Sequence, residues 1–251
     1  MPVKRKSLLS TKPIPVKERL ILALDVPSVA EAQDLVIRLG DSVAFYKLGL
    51  QLFMAGNYFE LVQWLRERGK KVFVDLKFFD VPETVKNAVS QLTKYHATFA
   101  TVHGNDEIMK AAVSQKNGVK ILAVTVLTSL DRADLKDLGF NCNVEKLVLS
   151  RAKRALKLGC DGVISSGLEA PRLRKSLGER FLVVTPGIRP VDNKDVKRSK
   201  DDQKRTTDVE EAFQKGSDYI VIGRPILKAP DPLVAAKAIQ ARIAKLFHSS
   251  V

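Results

Sequence analysis

The segment Asp75-Leu76-Lys77-Phe78-Phe79-Asp80-Val81-Pro82-Glu83-Thr84 carries the densest chemistry in this sequence. It follows the apolar run Lys71-Val72-Phe73-Val74, which reads as a buried strand. Side chains two apart on a strand share a face, so Asp75 and Lys77 are expected to leave the strand end side by side, with Asp80 just beyond. Burying ionisable groups is costly unless they are paired. One Asp–Lys pair alone would read as a salt bridge closing a strand end. Asp-x-Lys-x-x-Asp running into Val-Pro-x-Thr reads as paired ionisable groups set up for a reaction.

Such groups need a scaffold that brings distant strand ends together. The apolar stretches 20–26, 43–50, 71–77, 98–103, 119–127, 161–165, 181–187 and 218–223 read as strands, and several lack alternation, as strands covered on both faces do. Amphipathic helical patterns lie between them. Ser28-x-x-Glu31 opens one that stops at Gly40. Others run over 58–68 and 144–158, Thr207-x-x-Glu210 caps another, and Asp231-Pro232 starts the last. Strand and helix alternate to the end, which predicts a single-domain α/β protein, a (β/α)8 TIM barrel. A doubly wound sheet is the structural rival, but the turn after the first strand, Leu24-Asp25-Val26-Pro27-Ser28, lacks the glycines of a dinucleotide fold.

Barrel enzymes place function at the C-terminal ends of their strands. Asp25, Lys47, Asp75, Lys77 and His103 fall at or near the ends of strands 1 to 4, Thr128 after strand 5, Arg189 after strand 7, and Gly223-Arg224 at the end of strand 8. A glycine lets backbone N–H groups approach a phosphate, and arginine grips one bidentately. Gly223-Arg224-Pro225 alone would be a turn with a surface arginine; with Pro186-Gly187-Ile188-Arg189 it reads as a phosphate site. Lys47, within the apolar run Ala44–Gly49, reads as an inward functional lysine rather than one snorkelling from an edge. His103 reads as a hydrogen-bonded structural residue. The polar stretch 190–206 has no strand or helix pattern and reads as a lid.

The chain has 251 residues, 45% hydrophobic and 28% charged, enough for one full core. No apolar run approaches the ~20 residues that span a bilayer, and the start has no apolar signal region. Cys142 and Cys160 make neither a metal-ligand spacing nor a disulfide framework, which fits a reducing cytoplasm. A net charge of +14 raises the alternative of a nucleic-acid-binding protein, but there is no zinc motif, basic zipper or aromatic RNA-binding strand. The excess reads as solvated faces and steering of a polyanionic small substrate. Residues 1–18 are expected to be a basic, mobile tail, and 19–251 the barrel catalytic domain.

From about Leu20 to about Leu246 the sequence resembles the orotidine 5'-phosphate (OMP) decarboxylase family. The resemblance rests on segment 72–85 and on the order and spacing of Leu24-Asp25, Tyr46-Lys47-Leu48-Gly49, Val102-His103, Val126-Leu127-Thr128-Ser129, Thr185–Pro190, Asp202-Gln203 and Ile222–Pro225. It implies conversion of OMP to UMP with no cofactor and no metal. Lys47, Asp75, Lys77 and Asp80 would be the catalytic set, with Lys77 protonating C6 and Asp75 beside the departing carboxylate. Asp25 and Lys47 would bind the ribose, Thr128 the pyrimidine edge, and Arg189, Gly223 and Arg224 the phosphate. Gln203 would lie in the loop closing over the nucleotide. Asp80 and Thr84 would reach into the neighbour's site, which implies a homodimer with shared active sites. The enzyme alternative is a Mg-dependent sugar-phosphate decarboxylase or aldolase of the same barrel group, which shares Asp-x-Lys-x-x-Asp but not the following Pro-x-Thr.

Overall fold

The computed structural model describes residues 8–190 and 206–248. Eight parallel strands close into a barrel in chain order, β1 joining both β2 and β8. They are β1 Leu20–Ala23, β2 Phe45–Leu48, β3 Lys71–Phe78, β4 Phe99–His103, β5 Lys120–Val124, β6 Gly162–Ile164, β7 Leu182–Thr185 and β8 Tyr219–Ile222. The helices outside are α1 Val29–Leu39, α2 Leu50–Met54, α3 Tyr58–Glu67, α4 Pro82–Thr93, α5 Asp106–Ser114, α6 Arg132–Asp137, α7 Val144–Lys157, α8 Ala170–Leu177, α9 Val209–Gln214, α10 Arg224–Leu227 and α11 Pro232–His248. This is the (β/α)8 barrel expected from the sequence.

The continuous apolar runs have a simple cause. Leu20, Leu22 and Leu24 face the helices, while Ile21 and Ala23 face the barrel axis. Both faces of β1 are therefore dry. Inside, Phe45, Phe73, Phe99 and Tyr219 form an aromatic layer, with Phe99 5.0 Å from Phe45 and 5.2 Å from Tyr219 between ring centroids. Each buried phenylalanine contributes about 1.5–3 kcal/mol.

Helix starts follow their caps. The Ser28 hydroxyl accepts from the Glu31 amide at 3.2 Å, and Asp231 accepts from the amides of Leu233 and Val234. At α9 the cap stands one residue later than expected: Asp208 is the N-cap, with Glu211 in the reciprocal position. Thr207 instead donates its hydroxyl to Glu211 and bridges to Ile188.

Residues 8–18 pack against the N-terminal end of the barrel. The Leu8 amide donates to Gln214 O at 3.0 Å, and Ile14 packs against the interior cluster. Ser10 and Lys12 reach Asp218, a fully buried carboxylate just before β8. Asp218 also accepts from Arg174 Nη2 at 2.6 Å and from the Val183 amide at 2.9 Å. The cost of burying this carboxylate is offset because every face of it meets a donor.

Candidate active site

Strand alternation carries the polar groups onto the aromatic layer. Ile21 and Ala23 point inward, so Asp25 continues on that face; Lys47 follows Phe45, Asp75 follows Phe73, and Thr101 follows Phe99. At the C-terminal mouth these groups form one chain of alternating charge. Lys47 Nζ lies 3.2 Å from Asp25 Oδ1 and 3.3 Å from Asp75 Oδ2, and Lys77 Nζ lies 3.0 Å from Asp75 Oδ1. Side-chain exposure runs 52% for Asp25, 12% for Lys47, 11% for Asp75 and 33% for Lys77. The chain thus begins dry at Asp75 and opens to solvent at both ends.

Simple alternation does not bring Asp75 and Lys77 together. Val74 pairs with Ala100 and Phe78 with Val102, so β3 takes more residues than β4 over the same span. This bulge holds Lys77 at a φ of +50°, a left-handed conformation that costs a non-glycine residue about 1–3 kcal/mol. The Lys77 amide donates to Thr101 Oγ1 at 3.0 Å, and Thr101 Oγ1 donates to Asp75 Oδ1 at 2.9 Å. Thr101 is absent from the sequence-based candidates. Its signal was an inward polar residue in the apolar strand Phe99–His103.

Burial alone would pull the Lys47 ammonium down, but Asp75 and Asp25 outweigh it and hold the lysine above its ordinary value. Burial would likewise push the Asp75 carboxyl up, yet Lys47, Lys77 and the Thr101 hydrogen bond hold it below the usual carboxylate range. Each charge keeps its neighbour charged. His103 is half-buried and stacks on Phe79 at 4.6 Å; burial, then Arg151 and Lys77, lower its pKa.

Two glycines stand against these charges, Gly49 more tightly than Gly223. A Cβ on Gly49 would stand 3.2 Å from Lys47 Nζ, and one on Gly223 would stand 3.6 Å from Asp25 Oδ2. Gly223 precedes α10, and Arg224 is its first residue. Arg189 follows β7; its amide donates to Thr207 O at 2.9 Å and its Nη1 to Ile188 O at 2.9 Å. Strands β7 and β8 are neighbours, so both arginine-bearing loops rise on the same side of the mouth. Thr128 is buried in the loop after β5. Gln203 lies outside the described residues.

Asp80 and Thr84 do not join the charged chain of side chains at the mouth. Both are exposed, and Asp80 Oδ1 accepts from the Val81 amide at 2.6 Å. Phe79 and Val81 beside them are exposed, as are Leu50, Phe53 and Met54 of α2. A cleft of about 500 Å3 runs between Phe79–Pro82 and Asn105–Ile108. Among the described residues no cluster of three His, Cys, Asp or Glu side chains could hold a metal, and no helix is long and apolar enough to cross a membrane.

A parallel barrel with an alternating lysine–aspartate chain at its mouth has the build of a barrel enzyme with fixed ammonium and carboxylate groups at its strand ends. Residues 18–239 match the model of the orotidine 5'-phosphate decarboxylase / HUMPS family. A relative from Methylococcus capsulatus, named orotidine 5'-phosphate decarboxylase, is 61% identical over 96% of this chain and 98% of its own. One of the same name from Nitrobacter winogradskyi is 48% identical over 89% of this chain and 91% of its own. The crystal structure of orotidine 5'-phosphate decarboxylase from Lactobacillus acidophilus superposes with a TM-score of 0.78 at 35% identity, covering 90% of this chain and 99% of that one. This chain belongs to the orotidine 5'-phosphate decarboxylase / HUMPS family.

Proposed function

We propose that this protein decarboxylates OMP to UMP, the last step of de novo pyrimidine nucleotide synthesis, without metal or cofactor. The observation that carries the reading is the Lys47–Asp75–Lys77 chain at the barrel mouth. Breaking the C6–carboxylate bond releases CO2 and leaves the electron pair on C6, where the ring delocalises it poorly. The Lys77 ammonium faces that developing charge and then gives C6 its proton; water returns one to the lysine. Asp75 stands beside the departing carboxylate and disfavours it there. Lys47 and Thr101 keep Asp75 ionised while that happens. Two ammonium groups already occupy the Asp75 oxygens, a donor set poorly suited to a divalent cation.

Asp25 and Lys47 bind the ribose hydroxyls, Thr128 the pyrimidine edge, and Arg189, Gly223 and Arg224 the phosphate, with Gln203 closing over the nucleotide. The net charge of +14 steers a polyanionic substrate. Asp80 and Thr84 complete the site of a second copy. The exposed Phe79 and Val81 that flank Asp80 suit a two-fold interface at the mouth. The free cysteines Cys142 and Cys160 suit a cytoplasmic enzyme.

The test follows the loss of OMP absorbance with purified protein in excess EDTA. Turnover unaffected by the chelator is expected. Turnover lost in EDTA and restored by Mg2+ would instead support the metal-dependent alternative, and no turnover in either condition would reject the reading.

A further inference from the structure

We infer that Thr101 is a positioning residue for the reaction: its single hydroxyl ties the Asp75 carboxylate to the Lys77 backbone across the β3 bulge and so sets the spacing of carboxylate and ammonium. The inference rests on the decarboxylase reading and extends it to a residue outside the substrate-contacting set.

Three observations carry it. Thr101 is the β4 residue between Ala100 and Val102, the partners of Val74 and Phe78, so it faces the whole bulge. It is fully buried, and its Oγ1 uses both of its capacities there, donating to Asp75 Oδ1 at 2.9 Å and accepting the Lys77 N–H at 3.0 Å. The same Asp75 Oδ1 receives Lys77 Nζ at 3.0 Å. Backbone amide, hydroxyl, carboxylate and ammonium thus close a ring, in which the ammonium sits on a residue with a φ of +50°. Without the hydroxyl, β4 grips the strand only at the two edges of the bulge, and the partly buried Lys77 amide loses its acceptor. An extended strand would release Lys77 to another position.

Loss of a positioning group shows as slower turnover at unchanged binding. Displacing a reacting group by about 1 Å costs on the order of 10²-fold in rate. Thr101→Val keeps the shape and removes the hydroxyl. We expect kcat for OMP to fall about 10²-fold with KM unchanged, because the phosphate and ribose contacts lie elsewhere. The groups facing Asp75 are Lys47 from β2, Lys77 on its own strand, Thr101 from β4 and Tyr58 from α3, with Asp25 behind Lys47 and His103 beside Lys77. Of these, Thr101 is the neutral donor that favours the ionised carboxylate, so its loss should also move the acid limb of kcat to higher pH.

The experiment measures kcat, KM and the kcat–pH profile for Thr101→Val, Thr101→Ser and Thr101→Cys, with thermal unfolding as the folding readout. Serine keeps the hydroxyl and should restore kcat and the acid limb; cysteine, a weaker hydrogen-bonding group, should fall between. Wild-type kcat in Thr101→Val overturns the role, as does a loss that Thr101→Ser shares. If Thr101→Val does not fold, Thr101→Cys against Thr101→Ser decides, equal kcat in the two overturning it. A wild-type protein that does not decarboxylate OMP overturns the functional reading along with it, whereas an active wild type with an indifferent Thr101→Val overturns the Thr101 role alone.

Discussion

Asp75 and Asp218 are both buried carboxylates flanked by two basic side chains, at opposite ends of the same barrel. At the N-terminal end the set is closed. Asp218 takes donors from Ser10, Lys12, Arg174 and the Val183 amide, and Arg174 spends Nε and Nη1 on the carbonyls of Gly216 and Phe181. At the C-terminal end the set is open. Among the described residues Lys77 Nζ pairs with Asp75 alone, and it keeps a third of its side-chain surface exposed. A charge cluster whose hydrogen bonds are all made internally locks a structure. One with donors left over, at a mouth rimmed by glycine, has capacity for a substrate.

The largest effect should come from breaking the open set. Lys77→Ala should lower kcat by about 10⁴-fold or more, since it removes both the proton donor and the cation opposite the carbanion. Its unfolding temperature should stay near wild type. Turnover close to wild type would refute the assignment of Lys77.

The closed set predicts the reverse. Asp218→Ala leaves the Arg174 guanidinium buried without its counter-charge and should cost about 3–5 kcal/mol of stability. That corresponds to roughly 6–20 °C in Tm for a chain of this size. The kcat of the folded fraction should hold. A selective loss of kcat with stability intact would erase the contrast between the two ends.

Arg224 tests the remote grip. Its replacement by alanine should reduce kcat/KM for OMP about 10- to 100-fold, chiefly through KM, as loss of a charge-assisted hydrogen bond does. Phosphate-free orotidine should be an equally poor substrate for both proteins. Equal damage to both substrates would remove Arg224 from the phosphate site.

The open set is also expected to be incomplete in one chain. Asp80→Ala and Lys77→Ala, each inactive, should rescue one another when unfolded together and refolded. Random pairing makes about half of the dimers mixed, each with one intact site, so about a quarter of all sites should recover. Mixed dimers verified by mass spectrometry but lacking activity would mean that each site is built from a single chain.

The smallest effect concerns pH. Lys47 lies above its ordinary value of 10.5, because Asp75 and Asp25 outweigh burial. A raised lysine contributes stability that is complete below 10.5 and is lost as pH rises through its folded pKa. Asp75→Asn removes the larger compensating charge and leaves burial, so the folded pKa should drop below 10.5. The unfolded state then binds more protons, and the variant should gain stability relative to wild type as pH climbs toward 10.5, by up to about 1.4 kcal/mol per pH unit. Urea unfolding across the alkaline range checks this; a deficit that grows with pH would contradict the coupling.

The strand runs were legible because buried parallel strands are apolar on both faces, and the helix starts because caps such as Ser28 and Asp231 act within a few residues. The cap of α9 was misplaced by one residue because Thr207 and Asp208 are both good capping types, and the bridge between Ile188 and Thr207 selected Asp208. The site was legible as residue types: Asp25, Lys47, Asp75 and Lys77 meet as their positions suggested. The reason they meet was misread, since a bulge and not strand alternation carries Lys77 to Asp75.

What the sequence determined by itself is therefore the barrel, the identities of the charged groups and the strand ends that bear them. All of these follow from local patterns of burial, backbone preference and side-chain spacing. The tertiary structure alone decided that Thr101 would peg the bulge, across 26 residues of chain, and that Ser10 would close over Asp218, across 208. It also decided that Asp80 would stand outside the charged chain formed by Asp25, Lys47, Asp75 and Lys77. The physical reason is common to the first two: a buried hydroxyl or carboxylate is satisfied by whichever partner the closed barrel brings to it, and that partner is fixed by the packing of the whole chain rather than by its neighbours in sequence; Asp80 is exposed and its bond is to its own neighbour Val81.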